Sequence, residues 1–375
     1  MPVNIAPRSL CLMRLSALGD VTHALALVRA LQRAMPALAI TWIIGKGEAK
    51  LLEGLDGVEF IVFDKKAGLA GWRDLRARLA GRRFDVLLQL QLALRAGLAS
   101  TLVRADRRIG FDRARSKEGH SLFINERIAP GGHHVLDAFQ QFLAPLGISA
   151  GPVQWRMPVP EAAYAWAEQH LPGNQPTLLV SPCSSHPLRN WRTDRYAAVA
   201  DHAAARGWRV VLCGGRSALE RDTADAILAA MAAPALDLVG KDTLKQLLAL
   251  LARASLVLTP DSGPTHLANA MGTAVLGLHA CTDAERSGPW SDTRWCVNRY
   301  YDAVEAFLKI PAAKVRWGRR VEFPGVMDLI TVGDAVERFD AYAAAADGRG
   351  RLPGQAGQDG QDGRPHRPSE QDPKM

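Results

Sequence analysis

The sequence has no apolar run long enough to cross a bilayer, and Arg14 and Asp20 interrupt its first apolar stretch, so neither a membrane span nor a secretory leader is expected. Cys-x-x-Cys spacing is missing. The five cysteines, Cys11, Cys183, Cys213, Cys281 and Cys296, are scattered, odd in number and mostly in apolar runs. That excludes a disulfide framework or a structural zinc site and predicts reduced, buried thiols in the cytosol. No Gly-x-Gly-x-x-Gly follows the first strand, and there is no Walker loop or nucleophile elbow; Gly45-Lys46-Gly47 and Gly214-Gly215 fit none of these. Dehydrogenase, ATPase and serine-hydrolase chemistries lose their main support.

What is present is an ordinary soluble composition, 48% apolar and 22% charged, in a chain of 375 residues that suggests two domains. The 46 basic against 38 acidic residues leave +8, which favours a polyanionic partner: nucleic acid, anionic lipid or a phosphorylated substrate. Short apolar runs alternate with helical spacing. Strands are expected at 10–15, 40–44, 59–63, 84–90 and 109–111, with helices at 21–35, 72–79 and from 91 to about 104. A basic, irregular stretch then runs from Arg107 to His134, read either as a solvated loop or as a lid for an anion, before a helix at 135–143. Pro and Gly gather from 147 to 175 around a short helix at 161–170. The pattern restarts with strands at 178–180, 209–212, 236–239, 256–258 and 275–278, helices between them, and a last helix at 334–345. Alternation of this kind implies parallel pairing and an α/β, doubly wound architecture. We expect two Rossmann-like domains, residues 1–151 and 152–345, facing across a cleft, and a disordered Gly/Pro/Gln-rich tail at 346–375.

Ligands in such sheets lie outside the carboxyl ends of the strands. One joint there organises the second half: Thr259-Pro260-Asp261-Ser262-Gly263-Pro264-Thr265-His266-Leu267-Ala268. A strand ends in it and a helix begins, with Asp261 or Ser262 as cap and Gly263 for close approach. A helix start offers free amides and a positive dipole end to a phosphate, although an ordinary strand–helix joint has the same composition. Ser184, Ser185 and Arg189 follow another strand and supply hydroxyls, amides and a permanent charge. With the 261–266 joint they suit a diphosphate held without a metal, as in a sugar nucleotide. Glu220, after Gly214-Gly215, suits ribose hydroxyls or is a solvent-facing helix residue. In the first half Asp20 is either a helix N-cap or, if it faces the cleft, a general base for a sugar hydroxyl.

Arg14-Leu15-Ser16-Ala17-Leu18-Gly19-Asp20-Val21 with His23 resembles the N-terminal motif of the lipopolysaccharide heptosyltransferases, glycosyltransferase family 9. Asp261-Ser262-Gly263-Pro264-Thr265-His266-Leu267-Ala268 resembles that family's second signature, in the right order and at about the right distance. Ile109-Gly110-Phe111-Asp112 and the basic residues after it are most similar to the heptosyltransferase I branch. The resemblance spans roughly residues 9–345. It implies a GT-B fold with an N-terminal acceptor domain and a C-terminal nucleotide-sugar domain, and inverting transfer of a heptose from ADP-heptose to the Kdo-lipid A inner core. By the same resemblance Asp20 is the base, and Ser184, Ser185 and Arg189 hold the diphosphate. Asp261, Ser262, Gly263 and His266 form the donor-binding helix start, with Glu220 contacting the ribose or adenosine. Arg113, Arg115, Lys117 and His120 meet acceptor phosphate and Kdo carboxylates. No cofactor, metal or nucleic acid is implied, and no Asp-x-Asp pair is present. The expected enzyme is a monomer in the cytoplasm, peripheral to the inner face of the inner membrane. A different nucleotide-sugar donor, or a sugar-nucleotide epimerase, is the rival reading. The chain departs from the family's best-known members in having Arg189 in place of Lys, in its Cys183–Pro187 loop, and in the segment from Val315 onward.

Overall fold

In the computed structural model, which describes residues 6–347, each half of the chain builds one sheet. The first contains β1 (Ser9–Met13), β2 (Ala39–Gly45), β3 (Val58–Phe63), β4 (Phe84–Gln89), β5 (Ala105–Gly110) and β6 (Glu126–Arg127), in the order β3-β2-β1-β4-β5-β6. The second contains β7 (Thr177–Val180), β8 (Arg209–Leu212), β9 (Leu236–Asp237), β10 (Leu256–Pro260), β11 (Ala274–His279) and β12 (Val297–Asn298). From its far edge it reads β9-β8-β7-β10-β11-β12, the same walk as the first. All pairings are parallel. This is the doubly wound Rossmann order, present twice, as the GT-B expectation requires.

Parallel strands need helical crossovers, and helices on both faces leave the central strands dry. Leu10, Cys11, Leu12 and Met13 in β1 and Leu178, Leu179 and Val180 in β7 are 0% exposed. Truncating one of these leucines to Ala should cost about 2–5 kcal/mol. One apolar cluster runs through both halves, joining Val21, Leu25 and Leu27 of the first to Leu248, Leu267 and Val275 of the second. The first helix (Leu18–Ala34) packs on the Gly263–Ala270 helix, and the Glu161–His170 helix on the Leu244–Arg253 helix. The first of these pairs joins the two halves, and its helices begin at the strand ends that carry the candidate residues.

Several expected elements are corrected. The first helix begins at Leu18, three residues early, and β10 runs on through Pro260. Arg107 and Arg108 belong to β5, and β6 interrupts the supposed loop. Arg107 bonds Glu126 at 2.9 and 3.0 Å, and Arg108 donates to the carbonyls of Ser100, Val103 and Phe123 at 2.8–2.9 Å. Much of that segment's charge is thus spent inside the fold. The expected 135–143 helix narrows after Gln140 into a 3-10 turn, Gln141–Leu146, which contains Pro145. Helices at Lys46–Leu52, Ala284–Ser287 and Tyr300–Ala303 were not anticipated. The last helix extends to Asp347, so the first two positions of the expected tail are helical, and the rest of that tail lies outside the described residues. All five cysteines are unpaired thiols, but Cys183 is only partly covered. Burial pushes the Cys11, Cys281 and Cys296 thiols up to about 12, which leaves them unreactive at neutral pH.

Candidate active site

The switch point of each sheet lies where the walk reverses, between β1 and β4 in the first and between β7 and β10 in the second. Ligands collect at such points. β7 and β10 run in register, Leu256 beside Leu178 and Leu258 beside Val180, so the loops that follow them leave at one level. The Ser181–Trp191 loop and the Asp261–His266 joint are neighbours for that reason.

Asp20 stands in the first turn of the first helix, where the dipole favours a carboxylate. The N-cap position is Ala17, and no side chain caps the helix, so Asp20 is not the cap that its local sequence permitted. It pairs with Arg14, whose side chain is 11% exposed, and is itself 35% exposed. Arg14 also donates to the Leu90 carbonyl at 2.5 Å. Burial lowers the pKa of this guanidinium, and the Asp20 charge is the chief force opposing that. A half-open carboxylate is therefore held in place by a nearly buried arginine.

Across the joint, Arg189 forks onto Glu322 at 2.7 and 2.9 Å and reaches Asp261 at 3.1 Å. Asp261 is buried and also accepts from the Thr282 hydroxyl at 2.7 Å. Burial pushes the Asp261 carboxyl up, but His279, Arg189, His266 and the Thr282 hydroxyl bring it below the usual carboxylate value. Burial also lowers His266 and His279, leaving both neutral near pH 7, so Arg189 is the partner that carries the charge. Asp261 is thus an anchor for Arg189, not a side-chain cap. Ser262 occupies the N-cap position without a capping bond, because its hydroxyl shares a hydrogen bond of 2.9 Å with Thr259. With Pro264 lacking an N–H, the amides of Gly263 and Thr265 remain for a ligand. At Gly263 a Cβ would make only ordinary contact, 3.5 Å from Leu18 Cβ, so the glycine marks the seam between the halves.

Ser184 is buried, and its N–H already donates to Asn190 Oδ1 at 2.7 Å, which corrects the expectation of a free amide there. Ser185 is exposed. Glu220 accepts from Gly215 N–H and from the Ser217 hydroxyl, both at 2.6 Å, and so organises its own turn. His266 stacks edge-on with His23 at 4.7 Å between ring centres. Its ring lies against Gly19, one residue before Asp20. The candidate base and the helix start that suits a phosphate therefore sit side by side.

The four expected acceptor residues divide into two pairs. Arg113 and Lys117 are exposed. Arg115 is buried, bonded to Asp112 at 2.6 Å, to Gly132 O at 2.9 Å and to Gly131 O. His120 is buried, accepts from Phe111 N–H at 3.1 Å, and burial drops its pKa to about 4. It is therefore uncharged at neutral pH and structures the loop from within.

Sequence reasoning missed Glu322 and Asp242. Glu322 lies 133 residues from Arg189, and no local pattern links the two. Burial pushes the Asp242 carboxyl up to about 6, and its Oδ2 has no hydrogen-bond partner. Among the described residues no group of three or more His, Cys, Asp or Glu is arranged to hold a metal, and no helix is long and apolar enough to cross a membrane.

The model of glycosyltransferase family 9 (heptosyltransferase) matches residues 72–309. The chain is 37% identical over 328 residues to the lipopolysaccharide core heptosyltransferase OpsX of Haemophilus influenzae, covering 87% of this chain and 94% of that protein. It is 24% identical over 299 residues to lipopolysaccharide heptosyltransferase 1 of Pseudomonas aeruginosa, covering 74% of this chain and 80% of that one. Its fold is similar to that of E. coli ADP-heptose lps heptosyltransferase II, with a TM-score of 0.67, 19% identity, and 91% and 99% of the two chains covered. The chain belongs to glycosyltransferase family 9 and is a glycosyl-transferring enzyme of GT-B fold.

Proposed function

We propose that this enzyme is a heptosyltransferase of lipopolysaccharide core assembly that moves a heptose from ADP-heptose to the Kdo-containing inner core of lipid A. The observation that carries this reading is the contact of Gly19 with His266, which sets Asp20 beside the uncapped start of the Gly263–Ala270 helix. The name of the Haemophilus relative supports the core acceptor, and that of the E. coli structure supports the donor.

In this scheme Asp20 accepts the proton of an acceptor hydroxyl, and Arg14 holds the carboxylate in place. The freed oxygen attacks the anomeric carbon of the heptose from the face opposite the diphosphate. The bond from that carbon to the β-phosphate oxygen breaks, ADP leaves with the electron pair, and the configuration inverts. Charge grows on the leaving oxygen as the bond stretches. The Gly263 and Thr265 amides, the helix dipole and Arg189 stabilise it without rearranging. Glu220 and the 184–185 hydroxyls hold the nucleoside and diphosphate. Arg113 and Lys117 meet the anionic groups of the acceptor, while Arg115 and His120 shape the loop that presents them.

Residues 1–151 form the acceptor side of this scheme and 152–345 the donor side. The enzyme works as a monomer at the cytoplasmic face of the inner membrane, where its acceptor is anchored. Incubation with ADP-heptose and delipidated core acceptors, read by mass spectrometry, tests the reading: gain of one heptose with release of ADP supports it. Conversion of the nucleotide sugar without any glycoside would instead indicate an epimerase.

A further inference from the structure

Arg286 lies in the short helix Ala284–Ser287 that follows β11. Among the described residues no carboxylate lies within ion-pairing distance of it and no acceptor bonds its side chain, and its Nε is shut off from solvent without a partner. Its guanidinium rests over the indole of Trp317, 4.9 Å from the ring centre. Arg115 lies over the same ring at 5.3 Å, but its charge is spent on Asp112 and two carbonyls.

The frame around Arg286 is built by both halves. Trp317 Nε1 donates to the His133 carbonyl at 2.9 Å, His133 Nε2 meets Asp283 at 2.8 Å, and His134 Nε2 meets the Gly288 carbonyl at 3.0 Å. Asp283 and Gly288 bracket Arg286 in the chain, so these bonds fix where its side chain starts. Thr282, four residues before Arg286, bonds Asp261 at 2.7 Å, and the acids whose charge does most to offset the burial of Arg286 are Asp261 and then Asp20, one from each wall of the site. Arginine does not shed its proton to escape such a position, and an indole face compensates a desolvated cation only in part. Arg286 is half-buried, and a guanidinium withdrawn this far from water is ordinarily paired.

We propose that Arg286 is an anion seat of the active site, taking a phosphate or carboxylate oxygen of a substrate bound between Asp20 and Asp261. This rests on the heptosyl-transfer reading above. A guanidinium fork suits either oxyanion, and two molecules in the cleft offer one: the donor through its diphosphate and the acceptor through its Kdo carboxylate or phosphate.

The test compares Arg286→Gln and Arg286→Lys with the wild type, by calorimetry with ADP and with free Kdo and by steady-state kinetics. A rise of tenfold or more in the ADP Kd for Arg286→Gln assigns the seat to the donor. The same rise in the acceptor KM or the Kdo Kd, with ADP affinity unchanged, assigns it to the acceptor. Either supports the proposal, with partial recovery in Arg286→Lys. Values of kcat, KM and both Kd within twofold of wild type, in a variant that melts normally, overturn it. Should Arg286→Gln not fold, Arg286→Lys keeps the charge but loses the fork and is read in the same way, with a threefold change as the threshold. Absence of wild-type turnover rejects heptosyl transfer, whereas wild-type turnover matched by Arg286→Gln rejects only the seat. The calorimetric arm decides without turnover.

Discussion

Gly19 and His266 touch so closely that a Cβ on Gly19 would lie 2.2 Å from His266 Cδ2. The glycine lets the starts of two helices, one from each half, come together beside Asp20, the proposed base. Gly19→Ala must push His266 or the helices apart, and overpacking of this kind costs about 1–3 kcal/mol. Thermal unfolding should show a Tm several degrees lower, with turnover reduced as well. The double variant Gly19→Ala/His266→Ala should recover most of the lost stability. An alanine variant as stable and active as the wild type would mean that the contact is not tight in solution.

Arg189 is held by two carboxylates before any ligand arrives, Glu322 at 2.7 Å and Asp261 at 3.1 Å. A diphosphate has to compete with them. Arg189→Ala should weaken ADP binding by about ten- to a hundredfold, the range for one charged hydrogen-bonding group. Glu322→Gln frees the guanidinium and should tighten ADP binding several-fold. Calorimetry reads both. Unchanged affinity in both variants would remove Arg189 from the diphosphate site.

Much of this fold was legible because its signals are local. The Glu161–His170 helix and β8 fall where apolar spacing puts them, and the restart at β7 follows from a buried run flanked by polar loops. The two-residue strands β6 and β12 were not legible, since pairs such as Glu126-Arg127 have no alternation to read. Motif residues could be located but their commitments could not. Arg115 reads as a free cation until Asp112 and two carbonyls surround it, and Ser184 offers an amide until Asn190 takes it. The roles of Glu322 and Trp317 were invisible because each acts on a residue far away in the chain.

Asp242 provides a pH test. Its carboxyl is raised from 3.8 to about 6, with burial as the main cause, the Glu220 charge adding to it and Arg216 opposing. Between those values the unfolded chain has ionised while the folded carboxyl keeps its proton, so stability falls as pH rises through that window and stays reduced above it. Asp242→Asn removes the penalty and should stabilise the protein by about 1–3 kcal/mol at pH 7.5, with a smaller gain at pH 4.5. Urea unfolding at the two pH values checks this. An equal gain at both, or a loss at pH 7.5, would contradict it.

The account turns on Asp20 as the base, set beside a diphosphate seat that does not depend on it. The most direct measurement is the kcat of Asp20→Asn for heptose transfer from ADP-heptose, with ADP affinity measured on the same sample. Removal of a general base should lower kcat by about 10²–10⁴-fold while ADP binds as in the wild type. Turnover near the wild-type rate would contradict the account.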